Sequence, residues 1–302
     1  MSIVIASILF LVSFMVFVSL IIFVIGPVML LQPHRRTIDY YRKRTRILQP
    51  SDLDLPHERL ILKTAEGIDL SCWLIKANSK PQGTIIYLHG VSESKLVGLP
   101  MAKKFHERGY NVFLYDSRRH GESGGTYCTY GFYEKHDTST AINYLMGRQD
   151  LTLGKIGLFG TSMGAAVAIQ VAAIDKRISA VVAESGFATL RGIFDDYQRR
   201  MIKLPWHYLR NIVIKRSERI AHFKAHDVSP VDSIRDVHVP ILILHGLEDN
   251  LIDSVYSEQL YKNAATPKEL WLIPHARHSD MPEAGGAEYA ERILNFFEKN
   301  LR

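Results

Sequence analysis

The chain has 302 residues, 47% of them apolar, with a formal net charge of +6 at pH 7, so it can bury the core of one large α/β domain or two small ones, and disorder is not the default. Its two cysteines, Cys72 and Cys128, lie far apart with no CxxC or Cys/His spacing, a pattern that points to neither a disulfide framework nor a zinc site. Both read as residues that fill space in the core.

Residues 1–33 carry no charged side chain, and the run exceeds the ~20 apolar residues needed to cross a bilayer's hydrocarbon. This predicts an uncleaved transmembrane anchor. A cleaved signal peptide would want a basic start, a shorter apolar stretch and a small-residue exit, yet Ala6 is the sole alanine before Ala65. A buried soluble helix would rarely be apolar on every face over such a length.

Residues 34–56 read as a basic juxtamembrane linker or docking segment. In HRRTIDYYRKRTR, the side chains of Arg35, Arg36, Arg42, Lys43, Arg44 and Arg46 stand against Asp39 alone, so the segment holds five of the six net charges. Such a collar favours a single-pass protein with its domain on the cytoplasmic side and attraction to anionic lipid headgroups. The rest of the chain is almost neutral and shows no basic stripe interleaved with aromatics, so nucleic acid is not an expected partner. Nothing in the pattern speaks to oligomeric state.

From residue 57 to 302 the composition is that of a globular domain. ERLILKTAEGIDLSCWLIKA (58–77) reads as two β-runs joined at Glu66-Gly67. Short apolar, β-branched runs at 83–90, 110–116, 155–160, 178–185, 240–246 and 269–275 look like strands buried on both faces. Helical stretches at roughly 95–108, 134–148, 163–175, 254–264 and 286–299 alternate with them. That alternation predicts an α/β fold, a mostly parallel central sheet flanked by helices, with its chemistry at the carboxyl ends of the strands. Residues 187–236 are too long for a single crossover and read as a small helical cap. Within it Trp206, Leu209, Val213 and Ile220 share one helical face beside Arg210, suiting a lid packed on the sheet or a face for membrane or acyl chain.

Gly160-Thr161-Ser162-Met163-Gly164 follows a strand and opens a helix, the context of a nucleophile elbow. A G-x-S-x-G match alone is weak, because an ordinary turn before a helix gives the same letters. A serine hydroxyl also needs a base, and the base needs a carboxylate to fix its tautomer. His278, in PHARHSD, and Asp249, in LHGLEDNLID, both follow strands, so they fall at the same edge of the sheet as Ser162. His275 is the alternative base; Glu248, Asp253 and Glu184 are alternative acids. The oxyanion of a tetrahedral intermediate would need two backbone donors, for which Met163 and Val91 in HGVSES are the candidates. His89 is expected to order that loop.

Taken in order, LHGVSES, YDSRRHGESGG, GTSMG, HGLEDNLID and HARHSD resemble the α/β-hydrolase superfamily of serine hydrolases over about residues 58–300. The chain is similar in particular to the membrane-anchored, prolyl-aminopeptidase-like abhydrolase group, where one N-terminal helix precedes a compact catalytic domain. The familiar D-x-R-G-H-G-x-S pattern has Arg119 where glycine is usual, which touches loop detail, with Tyr130 and Asp137 expected to orient the next helix. The resemblance implies a Ser162–Asp249–His278 triad with no metal or organic cofactor. The expected activity is cleavage of esters or thioesters, with lipid or acyl substrates favoured. An aminopeptidase-like amidase would use the same triad, and a non-catalytic membrane scaffold on the same fold is the rival from another class.

Overall fold

The computed structural model describes residues 2–201, 207–265 and 267–302. Helix α1 (Ser2–Leu20) runs through a π-helical turn, Ile21–Ile25, into α2 (Gly26–Leu31), and a short α3 (Ile38–Arg42) follows. Strands β1 (Glu58–Lys63) and β2 (Asp69–Ile75) form an antiparallel hairpin. Its turn closes at Gly67, whose φ of 79° is one that glycine adopts without strain. The remaining strands are β3 (Thr84–Leu88), β4 (Asn111–Tyr115), β5 (Ile156–Thr161), β6 (Ile178–Glu184), β7 (Ile241–Gly246) and β8 (Lys268–Ile273). Among the described residues, eight strands make one sheet in the order β1-β2-β4-β3-β5-β6-β7-β8. All pairs from β4 onward are parallel.

Helices cover both faces, as continuous apolar strands require. On one side α4 (Leu99–Glu107) and α11 (Met281–Leu301) bury Phe105, Ile293 and Phe297 against Ile85, Val112 and Phe159. On the other, α5 (Glu134–Gly147), α6 (Met163–Ile174) and α10 (Val255–Asn263) pack Ile142, Ala168 and Leu260 over Ile86, Leu158 and Ile243. Cys72 and Cys128 are buried free thiols in this layer, and burial pushes the Cys72 thiol up to about 12. Helix α11 starts at Met281, ahead of its expected start at 286, because a kink at Gly286 (φ 55°, ψ −142°) joins two helical pieces.

Between β6 and β7 lie α7 (Leu190–Met201), α8 (His207–Ala221) and α9 (Pro230–Ser233), in the interval expected to hold a cap. Of the apolar face expected there, Trp206 lies outside the described residues, while Leu209, Val213 and Ile220 are half-buried. Helix α8 packs on the end of the N-terminal helix, touching both α2 and the π-turn. The methyls of Val213 come so near that a Cβ added to Gly26 would sit 2.9 Å from each. Arg210 ties α8 to α7 through Asp195 at 2.8 Å and Gln198 at 3.1 Å.

The run Ile3–Leu31 is long and apolar enough to cross a membrane, and little of it is buried. Its far end carries what is: Ile22, Pro27 and Leu31. The basic segment after it is folded onto the domain. Arg35 donates to the carbonyls of Arg119 and Ser123, and Tyr41 is buried. Arg35 therefore faces protein, whereas Arg42, Lys43, Arg44 and Arg46 stay exposed.

Two loops at the carboxyl edge are stapled together by Lys95, only 2% exposed. Its ammonium donates to Asp116 at 2.6 Å, Glu122 at 2.9 Å and Ser71 at 2.9 Å. A buried charge so fully paired fixes the β3–α4 loop against the β4–α5 loop. Arg118 does similar work, its fork gripping Asp137 of α5 at 2.7 and 2.6 Å.

Candidate active site

Ser162 sits between β5 and α6 with φ 55° and ψ −117°. A non-glycine residue there costs of order 1–3 kcal/mol, which the surroundings must impose. They do so by contact: Ser162 N–H donates to the Glu184 carbonyl at 2.7 Å, and Ala165 N–H donates to the Ser162 carbonyl at 3.0 Å. A Cβ at Gly160 would lie 2.2 Å from the Gly164 carbonyl oxygen, and one at Gly164 would lie 2.0 Å from that of Leu88. The start of α6 thus crosses its strands at backbone contact distance, and the serine Oγ is turned outward.

His278, in the β8–α11 turn, places Nε2 3.0 Å from Ser162 Oγ and Nδ1 2.6 Å from Asp249 Oδ2. With Nδ1–H donating to the carboxylate, Nε2 is left to accept the serine proton. Asp249, in the β7–α10 loop, has a fully buried side chain. Its Oδ1 accepts the amides of Leu251 at 2.8 Å and Ile252 at 2.9 Å. Burial alone would raise its pKa, but hydrogen bonds from His245 and His278, the His278 charge and the Ile252 amide hold it well below the usual carboxylate range. Burial likewise opposes protonation of His278; the bond to Asp249, its charge and those of Glu93 and Glu184 outweigh it and lift the imidazole above 6.5.

The other candidates are engaged with other partners. His275 is 86% exposed and pairs with Glu248 at 2.9 Å. Asp253 accepts the Val255 amide at 3.1 Å at the start of α10. Glu184 is buried beside the site and accepts the Tyr289 hydroxyl at 2.6 Å; its burial pushes its carboxyl up to about 7 against that bond and the His278 charge.

Two supports were not read from the sequence. His245 is wholly buried, its Nε2 lying 3.0 Å from the Ile252 carbonyl and 3.3 Å from Asp249 Oδ2. Two acceptors at Nε2 require the proton there, so the Ser257 hydroxyl donates to Nδ1 at 2.6 Å. The signal was the His-Gly pair ending β7, which mirrors His89-Gly90 after β3. The second is Tyr289 on α11, whose helical spacing marked only a core position.

Met163 opens α6, and its amide is among the helix-start donors that lack an intrahelical partner. Val91 follows Gly90, where an added Cβ would come within 3.2 Å of Ser162 Cβ. The Gly90 amide itself donates to Glu93 at 3.0 Å. His89 orders this loop: it accepts the Ser117 amide at 2.9 Å and donates to the Gly90 carbonyl at 2.7 Å. Arg119, where the related pattern has glycine, takes φ 69°, so the backbone keeps the left-handed turn that glycine would make more cheaply. A cleft of about 480 Å³ opens beside Ser162 and His278 between α4 and α11, lined by Glu93, Met101, Phe159 and Tyr289 among others.

This sheet order, with a serine on a strained strand-to-helix turn and histidine and aspartate from the last two strand ends, defines an α/β-hydrolase. A family profile described as "Serine aminopeptidase, S33" matches residues 79–235, a span that includes Ser162 and stops before Asp249. The chain belongs to that family. It is 30% identical over 240 residues to the protein YqkD of Bacillus subtilis, covering 79% of this chain and 78% of that one. Protein bem46 of Schizosaccharomyces pombe is 27% identical over 263 residues, covering 85% and 82%. The esterase Pf2001 of Pyrococcus furiosus superposes with a TM-score of 0.71 at 26% identity, over 84% of this chain and 96% of that one.

The crossing at Gly164 sets a direct expectation. Gly164→Ala destabilises the fold by more than about 4 kcal/mol, the range reserved for enforced backbone clashes, as measured by denaturant unfolding in detergent. Stability within about 1 kcal/mol of wild type would contradict the close crossing.

Proposed function

We propose that the protein is a membrane-anchored serine hydrolase that cleaves carboxylic esters or thioesters, lipid or acyl substrates favoured, through an acyl-enzyme. The observation that carries this is the unbroken hydrogen-bonded chain Ser162–His278–Asp249. Ser162 Oγ attacks the acyl carbon while its proton passes to His278 Nε2. Asp249 holds the Nδ1 tautomer and stabilises the imidazolium. The amides of Val91 and Met163 receive the negative charge on the carbonyl oxygen. Collapse expels the alcohol or thiol, protonated by His278, and the neutral imidazole then activates water to release the acid and free Ser162.

The run Ile3–Leu31 supports the anchor, and the exposed Arg42, Lys43, Arg44 and Arg46 favour the cytoplasmic side and anionic headgroups. The esterase Pf2001 supports ester chemistry. A second reading, an aminoacyl ester or amide, is favoured by the carboxyl groups of Glu93 and Glu184 in the cleft wall, which complement an amine. The ratio of ester to aminoacyl-anilide turnover separates the two.

With p-nitrophenyl butyrate as substrate, Ser162→Ala, His278→Ala and Asp249→Asn each lower kcat by roughly 10⁴-fold. Folded wild-type protein inert toward ester, thioester and anilide alike would instead point to a non-catalytic scaffold. The pH profile has a defined sign. Because His278 must be neutral to accept the proton, kcat/KM rises with pH through a value above 6.5. Glu184→Gln removes a neighbour that becomes negative as its own carboxyl, raised to about 7 by burial, ionises, and it moves that acid limb to lower pH; an unmoved limb would show that Glu184 does not act on His278.

A further inference from the structure

Outside the N-terminal helix, large apolar side chains that remain strongly exposed are few among the described residues: Ile61, Met146, Ile174, Leu247, Leu251 and Val255. Scattered single cases need no explanation. Leu247, Leu251 and Val255 are different, because they flank Asp249 along the β7–α10 loop and the first residue of α10 and are 50%, 48% and 43% exposed. They stand at the carboxyl edge of the sheet, the edge that also bears Ser162 and His278.

The N-terminal helix is planted on that same edge. The Leu31 carbonyl accepts the Cys128 amide at 2.8 Å, and the Leu30 carbonyl accepts the Tyr130 hydroxyl at 2.6 Å, both from the loop after β4. Leu31 is buried in one apolar cluster with Ala166 of α6, Phe187, Ile193, Ile252 and Tyr256. That cluster runs without a break from the foot of the helix to the residues beside Leu251 and Val255.

Length then fixes where the lipid surface falls. The 19 residues of α1 rise roughly 28 Å, close to the ~30 Å of bilayer hydrocarbon. The π-turn and α2 are therefore left for the interface. One side of that stretch is buried on the domain, and the other presents Phe23, Val24, Val28 and Met29, all 47% exposed or more, which suits lipid far better than water. Helix α8, packed on this stretch, turns Lys215, Arg216 and Arg219 outward, a charge complement for anionic headgroups. The acids near the loop are engaged: Glu248 with His275, and Asp253 with the Val255 amide.

We infer that the carboxyl-edge face, comprising Leu247, Leu251, Val255 and cap helix α8, is seated on the bilayer that holds the protein's own N-terminal helix, so that the site opens onto the lipid surface. This rests on the reading of Ile3–Leu31 as a membrane anchor. A lipid acyl ester would then reach Ser162 without crossing water.

The full-length protein is reconstituted into phosphatidylcholine–phosphatidylglycerol vesicles as single variants Val255→Cys, Leu247→Cys, Met146→Cys and Ile174→Cys, each labelled with bimane. The two native cysteines are buried and do not compete for label. Met146 and Ile174 end α5 and α6 at the opposite edge of the sheet and serve as controls. After an alkaline wash and flotation, quenching by lipids spin-labelled near the headgroup is read. Loss of most bimane emission at positions 255 and 247, with emission at 146 and 174 retained, is the expected result. Flotation with all four positions equally unquenched overturns the seated face and leaves the anchor standing. Failure to float overturns the anchor and the seated face together.

Discussion

The backbone at Ser162, held at φ 55° and ψ −117°, is the constraint around which the rest of the molecule is arranged. A turn that sharp is unfavourable alone, and it persists because β5 and α6 are each fixed by other packing. Phe159, just before it, lies among the rings of Tyr87 and Phe105, and Ala165, Ala166 and Ala168, just after it, are fully buried. Small side chains on that first stretch of α6 let the helix approach the sheet. The hydroxyl is thereby left at the edge of the core while Gly160 and Met163 on either side of the turn are buried, which is the geometry a nucleophile requires.

The partners of that hydroxyl are positioned by a second set of contacts. The Glu248 amide donates to the Ala276 carbonyl at 2.9 Å, and the Leu247 amide donates to that of Ile273 at 3.0 Å, so the loops after β7 and β8 are bonded to each other before their side chains meet. His245 below and His278 above then share one carboxylate. The acid of the proposed triad is held by three hydrogen bonds and by His245 Nε2 at 3.3 Å, which fix it toward its imidazole. On the far side, Lys95 and His89 hold the loop carrying Val91. The foot of the N-terminal helix packs into the same region through Leu31, in one apolar cluster with Ile214 of α8, Ala166 of α6 and Ile252 of the β7–α10 loop.

Much of this was legible in the chain. Strand positions could be read because buried parallel strands are short unbroken apolar runs, and Ser162, His278 and Asp249 could be placed because each follows one of them. The placement of α8 on the N-terminal helix could not be read, since Leu209 and Val213 show an apolar face without naming what covers it. Helix α11 hid its first turn because Gly285-Gly286 reads as a break, while the structure uses it as a kink. Nothing local to Lys95 marks it as buried; its burial depends on Asp116 and Glu122, which arrive from the end of β4 and the loop after it. Arg119 shows the limit of motif reading from the other direction: the letter departs from glycine, and the left-handed backbone does not.

The most direct test of the central claim is covalent mapping. Purified wild-type protein is treated with a fluorophosphonate and digested, and the modified peptide is sequenced by mass spectrometry. The account predicts a single phosphonylated residue, Ser162, with no adduct in His278→Ala over the same interval. An adduct on any other serine, or equal labelling of His278→Ala, would contradict it.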